Sequence, residues 1–236
     1  MLNTKIKTIS VAASIALLYG CSGGGGGAVA PAGPVISTLS FPLQSADKTT
    51  VANGWAKTFT ISGTCSGTGS ITRAPATTAA TFEGVAGFSA EERINFTYTN
   101  CTPATTALTA TSYYDSNYVL LGFNSTGPNY GYGLFLTPPT MPTSVTVGET
   151  GVVGTETLYT NSTKATGNGR IDASYVIEAD TSTTAIASLI AKTYNSTGTL
   201  IATEQDRYRI AATGVLTPVS ADIQAVNGPH LVWSYN

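Results

Sequence analysis

Charged side chains are scarce in this sequence. Asp, Glu, Lys and Arg make up 10% of the 236 residues, whereas about a quarter is typical of soluble proteins. Because Lys5 and Lys7 lie near the start, the chain from residue 21 onward has nine basic and thirteen acidic residues. This negative balance excludes the basic surface that nucleic-acid binding requires, so no nucleic-acid partner is predicted.

Histidine is nearly absent, and His230 is the only one. A single histidine excludes histidine-based zinc clusters, and no serine-hydrolase nucleophile elbow accompanies it. The glycine-rich stretch 148–155, GETGVVGT, lacks the Lys-Ser/Thr pair that ends a phosphate-binding loop. The sequence therefore predicts no metal site and no cofactor, and it names no specific activity.

Long hydrophobic runs are also missing. The uncharged run at residues 9–18 has about half of the roughly 20 residues that a membrane-spanning helix needs. Lys5 and Lys7 precede it, which is the layout of a secretory signal. The run ends in Leu18-Tyr19-Gly20-Cys21, which resembles the lipobox of bacterial lipoproteins, with an aliphatic residue three positions before the cysteine and a small one directly before it.

The resemblance to bacterial lipoproteins implies a chemistry for Cys21. It implies a diacylglyceryl thioether on Cys21, cleavage after Gly20 and acylation of the new amino terminus, for example with palmitate. Ser22 stands where an aspartate often signals retention in the inner membrane, so the expected location is the outer membrane. The remainder of the chain is similar to lipoproteins of unknown function, from which no catalytic residue carries over.

Three regions follow from this interpretation. Residues 1–20 are the signal peptide, and residues 21–34 are the lipidated cysteine with a glycine-rich tether that has a typical span of roughly 20 Å. Residues 35–236 are predicted to form a single β-rich domain. Export takes the two other cysteines, Cys65 and Cys101, into an oxidising compartment, and we predict that they form a disulfide.

The fold class follows from composition and alternation. The polar residues are mostly Thr, Ser and Asn, and turn residues recur about every ten to fifteen positions. Residues 171–180 alternate between apolar and polar side chains, as expected of a strand with one buried face. The sequence predicts an all-β, antiparallel meander that forms a curved half-barrel or a sandwich, with at most one short helix near residues 43–53.

Two carboxylates are the candidate catalytic residues. In the stretch TEQDRYRI, strict alternation places Glu204 and Asp206 on the face that carries Leu200 and Ile210. Either a bulge near Gln205 resets the register, or both carboxylates point inward. Glycoside hydrolases use two carboxyl groups with different environments, one as the acid and the other as the base or nucleophile.

Tyrosines form the candidate ligand-binding surface. They lie in the stretches SYYDSNY and NYGYG, close to aspartate and asparagine side chains. Such a group can provide a platform for sugar rings or the wall of a polar-rimmed groove, while packing against neighbouring strands is the alternative. The candidates are Tyr113, Tyr114, Asp115, Tyr118, Tyr130 and Tyr132.

Three function classes remain open from the sequence. A structural or assembly lipoprotein of the envelope, with a protein partner, and a binding module for an apolar ligand or a glycan are the two favoured classes. A hydrolase that uses Glu204 and Asp206 is less favoured, and no enzymatic role is expected otherwise. In each case the lipid anchor makes the membrane a partner.

Overall fold

A computed structural model describes residues 33–126 and 131–236. Cys21, with the predicted signal peptide and most of the predicted tether, and Tyr130 lie outside these ranges. One helix and thirteen strands follow one another along the described chain, and within it no helix has the length and apolarity to cross a membrane. These elements are α1 (Leu43–Asn53), β1 (Trp55–Gly63), β2 (Gly67–Arg73), β3 (Thr78–Phe82), β4 (Val85–Tyr98), β5 (Thr105–Asp115), β6 (Leu120–Ser125), β7 (Tyr132–Phe135), β8 (Thr150–Tyr159), β9 (Gly167–Ala179), β10 (Thr184–Tyr194), β11 (Leu200–Ala211), β12 (Leu216–Ala225) and β13 (His230–Tyr235).

The strands form one antiparallel sheet that closes on itself as a 12-stranded barrel. From β4 to β13 each strand pairs with the next in the chain, β13 pairs with β1, and β1 pairs with β2. The ring closes because residues 92–98 of β4 pair with β2, whereas residues 85–89 pair with β3, which stands outside the ring. The predicted all-β, antiparallel fold with one helix at 43–53 is confirmed, and the sheet curves to full closure rather than stopping at a half-barrel.

Alternation assigns apolar side chains to the interior of the barrel and polar ones to the outside. In β9, Tyr175 and Ile177 are buried, as the alternation of residues 171–180 predicts. The next residue, Glu178, lies on the outer face with Arg207 of β11, and the two form an ion pair. This part of the outer wall therefore has the composition of a surface that faces water.

Two apolar clusters fill the two ends of the barrel. One contains Phe59, Phe96 and Trp233, whose rings stack or pack edge to face. The other contains Phe41 and Leu43, which are 0% and 1% exposed. Apolar side chains therefore pack inside the barrel towards each of its ends.

Helix α1 lies in one mouth of the barrel. Leu43, Ala46 and Val51 are its buried residues, and they share one face. The helix ends at Gly54, whose φ of +64° is a left-handed conformation, and the Gly54 N–H donates to the Thr50 carbonyl over 2.9 Å. A Cβ at Gly54 would lie 2.4 Å from the Arg73 carbonyl oxygen, so glycine is required both for the backbone conformation and for space.

The predicted disulfide is confirmed by the positions of its cysteines. Cys65 and Cys101 are bonded, with 5.7 Å between their Cα atoms, and they close the barrel end opposite α1. Their separation of 36 residues makes the loop-closure contribution roughly 2 to 4 kcal/mol.

Replacing both cysteines with alanine should therefore lower the free energy of unfolding by roughly 2 to 4 kcal/mol. The measurement is the urea midpoint with and without reductant. Reductant should shift the midpoint of the wild-type protein to that of the double variant and leave the variant unchanged. Equal midpoints for oxidised wild-type protein and variant would contradict a stabilising disulfide.

Candidate functional site

Glu204 and Asp206 point into the barrel. Pairing between β10 and β11 is regular across both residues, so no bulge at Gln205 resets the register. Asp206 lies opposite Ala221, and Ala221 lies opposite Trp233, which belongs to the apolar cluster inside the barrel. Of the two alternatives that the sequence leaves open, the structure therefore has the one with both carboxylates inward.

The lumen around these carboxylates contains space. Twelve strands about 4.8 Å apart and tilted by about 40° give a barrel roughly 24 Å across. Small side chains from opposite walls do not fill a lumen of this width. Ala191 lies opposite Glu204, and Ala173 lies opposite Ala191. These side chains retain partial accessible surface although they face inward, so the barrel is not fully packed around them.

Polar and aromatic side chains from the wall and from α1 meet at this level of the lumen. Arg73 Nε donates to Glu92 Oε2 over 2.8 Å, and the Arg73 guanidinium lies 5.5 Å from the centre of the Trp55 ring. Tyr235 packs edge to face on Trp55 at 6.0 Å. We call this group the lumen cluster; it consists of Asp47, Trp55, Arg73, Glu92, Glu204, Asp206, Tyr208 and Tyr235.

Burial favours the protonated form of the two carboxyl groups of β11. Burial raises the pKa of Glu204 well above its ordinary value, and the neighbouring Asp206 charge and a hydrogen bond between the two carboxyl groups raise it further. Burial also raises the pKa of Asp206 to about 6, although the hydrogen bond with Glu204 and the charge of Arg73 oppose the rise. The pair therefore shares a proton near neutral pH, so it can both donate and accept hydrogen bonds.

Helix α1 contributes Asp47 to the lumen cluster. Burial raises the pKa of Asp47 to about 6, and the nearby Arg73 charge opposes that rise. A cavity of about 50 Å³ lies between α1 and the barrel wall, with Asp47, Arg73 and Tyr208 among its lining residues. At about 30 Å³ per water it has room for about two waters.

Several polar atoms on the inner wall have no protein partner. Across the described ranges, the indole nitrogens of Trp55 and Trp233, the Thr193 hydroxyl and one carboxyl oxygen of Glu156 are buried without a hydrogen bond. The strand registers place all four side chains on the inner face. Buried polar atoms are nearly always satisfied, so the lumen offers both donors and acceptors to a water or a ligand.

The candidate tyrosines do not form one surface. Tyr113 and Tyr132 lie on the outer face, where Phe82 stacks on both at 4.6 and 5.2 Å, whereas Tyr114 is buried inside with Val51 of α1. Tyr118 stacks on Phe88.

Asp115 accepts hydrogen bonds from the backbone N–H groups of Asn117 and Val119. It therefore fixes the turn between β5 and β6. Tyr130, the remaining candidate, lies outside the described residues.

Metal-binding geometry is not found among residues 33–126 and 131–236, where no three His, Cys, Asp or Glu side chains are placed to share an ion. His230 lies on the outer face, 2.9 Å from Asp222, away from the lumen cluster. No family model, curated protein or solved structure matches this chain. The chemistry of the lumen cluster is therefore interpreted from its own geometry.

Sequence reasoning missed most of the lumen cluster. It identified Glu204 and Asp206, but not Asp47, Arg73 or Glu92, which come from α1, β2 and β4. One signal was available, because charged residues are scarce and Arg73 falls on the inward side of an alternating strand with Ile71. Its pairing with Glu92 depends on the β2–β4 closure, which local patterns do not reveal.

Proposed function

We propose that this chain is a lipid-anchored protein of the outer membrane whose barrel binds a small polar ligand in its lumen. The lipobox supports the anchor. One observation carries the binding proposal: among the described residues, polar groups point into an otherwise apolar barrel, and several of them have no protein partner. A cavity at α1 lies beside three of the inward polar residues, Asp47, Arg73 and Tyr208. Maintaining such groups costs stability, and a bound polar ligand would offset that cost.

A sugar unit of a glycan is the ligand class that the lining fits best. Sugar hydroxyls can donate to the Glu204–Asp206 pair and accept from Arg73 and from the indole N–H groups. The C–H faces of a sugar ring pack well on aromatic rings such as Trp55. An apolar ligand fits less well, because it would leave the carboxyl groups and the guanidinium without polar partners.

The size of the cavity implies that α1 moves when the ligand binds. Ligand sites typically measure about 300 to 1,000 Å³, and the cavity at α1 has about 50 Å³. Leu43, Asp47, Thr50 and Val51 of α1 form part of its wall. Outward movement of α1 would therefore enlarge this cavity and open the mouth of the barrel.

The two other classes explain the lumen less well. A purely structural role in the envelope does not explain why polar groups inside the barrel lack a protein partner. A two-carboxylate glycosidase needs carboxyl groups at least about 5 Å apart on either side of the scissile bond, whereas Glu204 and Asp206 lie two positions apart on one strand and interact directly enough to raise the pKa of Glu204.

Native mass spectrometry of the lipidated full chain, purified from its own envelope in detergent, tests the proposal. We expect a bound mass that is released on denaturation. The double variant Glu204→Gln/Asp206→Asn should bind it about 10- to 100-fold more weakly, because it loses the one charge-assisted hydrogen bond of the carboxyl pair, which contributes about 1.5 to 3 kcal/mol. Binding is compared by titrating the released compound back.

Asp172→Asn is the matched control for this experiment. Asp172 is a strand carboxylate on the outer face, where it pairs with Arg170, and its substitution should leave the bound mass unchanged. The fold of each variant is checked by circular dichroism. A bare wild-type protein, or equal binding by both variants, would contradict a binding lumen.

A further inference from the structure

Exposed apolar side chains are concentrated at one end of the barrel. Eight large apolar residues are exposed in the described part of the chain, and six of them lie at the end that holds α1. Ile36, Leu136 and Val152 are the most exposed, at 73%, 73% and 77%. We call these six residues the apolar rim; they are Val35, Ile36, Leu39, Leu136, Val152 and Val215.

The N-terminal segment 33–42 joins these positions into one surface. It runs across the barrel mouth, where Val35 bridges to Asp180 at the β9–β10 turn and Phe41 bridges to Val145 between β7 and β8. The following Pro42 lies close to Gly214 in the β11–β12 turn, next to Val215.

Leu136 and Val152 flank the connection between β7 and β8. This connection is held to the wall by a hydrogen bond from the Thr140 N–H to the Val153 carbonyl over 2.8 Å. The connection also contacts α1, because the Gln44 side chain donates a hydrogen bond to the Met141 carbonyl over 3.2 Å. The apolar rim is therefore part of the same mouth of the barrel and not a set of unrelated loops.

The chain that precedes this mouth indicates what covers the apolar rim. Residue 33, the first described residue, lies at this end of the barrel, and Cys21 is twelve residues earlier. A tether of this length has a typical span of roughly 20 Å, so acyl chains on Cys21 would hold the α1 end, and not the disulfide end, beside the lipid. We propose that the apolar rim docks onto the bilayer that holds the acyl chains of Cys21. This inference rests on the lipid anchor of the proposed function and is independent of the lumen ligand.

The charged residues of this end limit the depth of docking. Lys48 of α1 and Glu149, which accepts a hydrogen bond from Thr146, lie at the same mouth, and Asp180 is paired with Arg209. Charged groups stay at headgroup level while apolar tips enter the interface. The docked protein therefore stands upright with the mouth of the lumen against the headgroups.

Site-specific fluorescence on vesicles tests the docking. Cys21 is lipidated and Cys65 is bonded to Cys101, so an introduced cysteine is the one free thiol for an environment-sensitive dye. The lipidated variants Val35→Cys, Leu136→Cys and Val152→Cys are placed in phosphatidylethanolamine–phosphatidylglycerol vesicles with and without a nitroxide-labelled lipid. Val226→Cys is the matched control, because Val226 and Val35 are both 46% exposed valines and Val226 lies at the opposite end.

We expect a blue shift and nitroxide quenching at positions 35, 136 and 152, and neither at position 226. Vesicle-bound protein with no quenching at the rim, or with quenching at position 226, would overturn the docking and leave the anchor intact. Protein that does not float with the vesicles would remove the anchor and the docking together. The bound mass in native mass spectrometry is read separately, so a failure of the lumen proposal is distinguishable from both.

Discussion

Replacing Arg73 with methionine should lower the free energy of unfolding by about 3 to 5 kcal/mol, or prevent folding. Arg73 forms the ion pair with Glu92 on the inner wall, and its charge also opposes the rise in pKa of Asp47 and Asp206. Removing Arg73 leaves the Glu92 carboxylate inside the barrel without a counter-charge. Breaking an enclosed ion pair by removing only one partner is strongly destabilising. The measurement is urea unfolding followed by tryptophan fluorescence.

Two variants separate this effect from a general loss of charge. Arg93→Met removes the arginine of an exposed pair with Glu91 on the outer face of β4, and its unfolding midpoint should stay unchanged. The double variant Arg73→Met/Glu92→Met removes both charges, and it should recover most of the lost stability. If Arg73→Met matched Arg93→Met, or if the double variant were no more stable than Arg73→Met, the lumen pair would not have the role assigned to it.

Glu156→Gln should make the protein more stable at alkaline pH by about 3 to 4 kcal/mol, while the two proteins differ by at most about 1 kcal/mol at pH 5. Glu156 is 6% exposed, one of its carboxyl oxygens has no protein partner among the described residues, and burial raises its pKa to about 8. Glutamine has nearly the same shape and does not ionise.

The direction follows from proton linkage. The folded-state pKa of Glu156 lies above its unfolded value of 4.5, so the native protein binds the proton more tightly. The stability from this group is fully present below about pH 4.5 and is lost as pH rises through about 8. Asp47 and Asp206, each with a pKa of about 6, act in the same direction, so the wild-type protein should be less stable at pH 8 than at pH 5.

Thermal and urea unfolding between pH 4.5 and pH 9 measure this prediction. Glu149→Gln is the control, because Glu149 lies on the surface just before β8 and its variant should follow the wild-type pH profile. A Glu156→Gln profile parallel to that of the wild-type protein would contradict a buried, protonated Glu156.

Local elements of this fold could be predicted because they depend on nearby residues. The alternation at 171–180 predicted the buried face of β9, and Leu43, Ala46 and Val51 share the buried face of α1. Closure of the barrel could not be predicted in this way. It depends on the length of β4, whose two halves pair with different strands, and on pairing between β1 and β13, which are far apart in the chain.

The candidate site could also be predicted only in part. Alternation placed Glu204 and Asp206 on one face, but it could not say which face was inside until their neighbours on β12 and β13 were known. Tyr113 and Tyr114 are adjacent in the chain and so point to opposite sides of the wall. The candidate tyrosines therefore do not form one surface. Residues of one stretch seldom form a site on a barrel wall, because half of them face outward.

The most direct test of a ligand-binding lumen is a crystal structure of the full chain purified from its native host without added ligand. We predict electron density for a non-protein molecule within hydrogen-bonding distance of Glu204 or Asp206 and of the Trp55 indole nitrogen, with α1 displaced outward. A lumen that contains only ordered waters, with α1 in its present place and every inward polar atom satisfied by those waters, would contradict the binding proposal and identify the lumen cluster as a structural layer of the barrel.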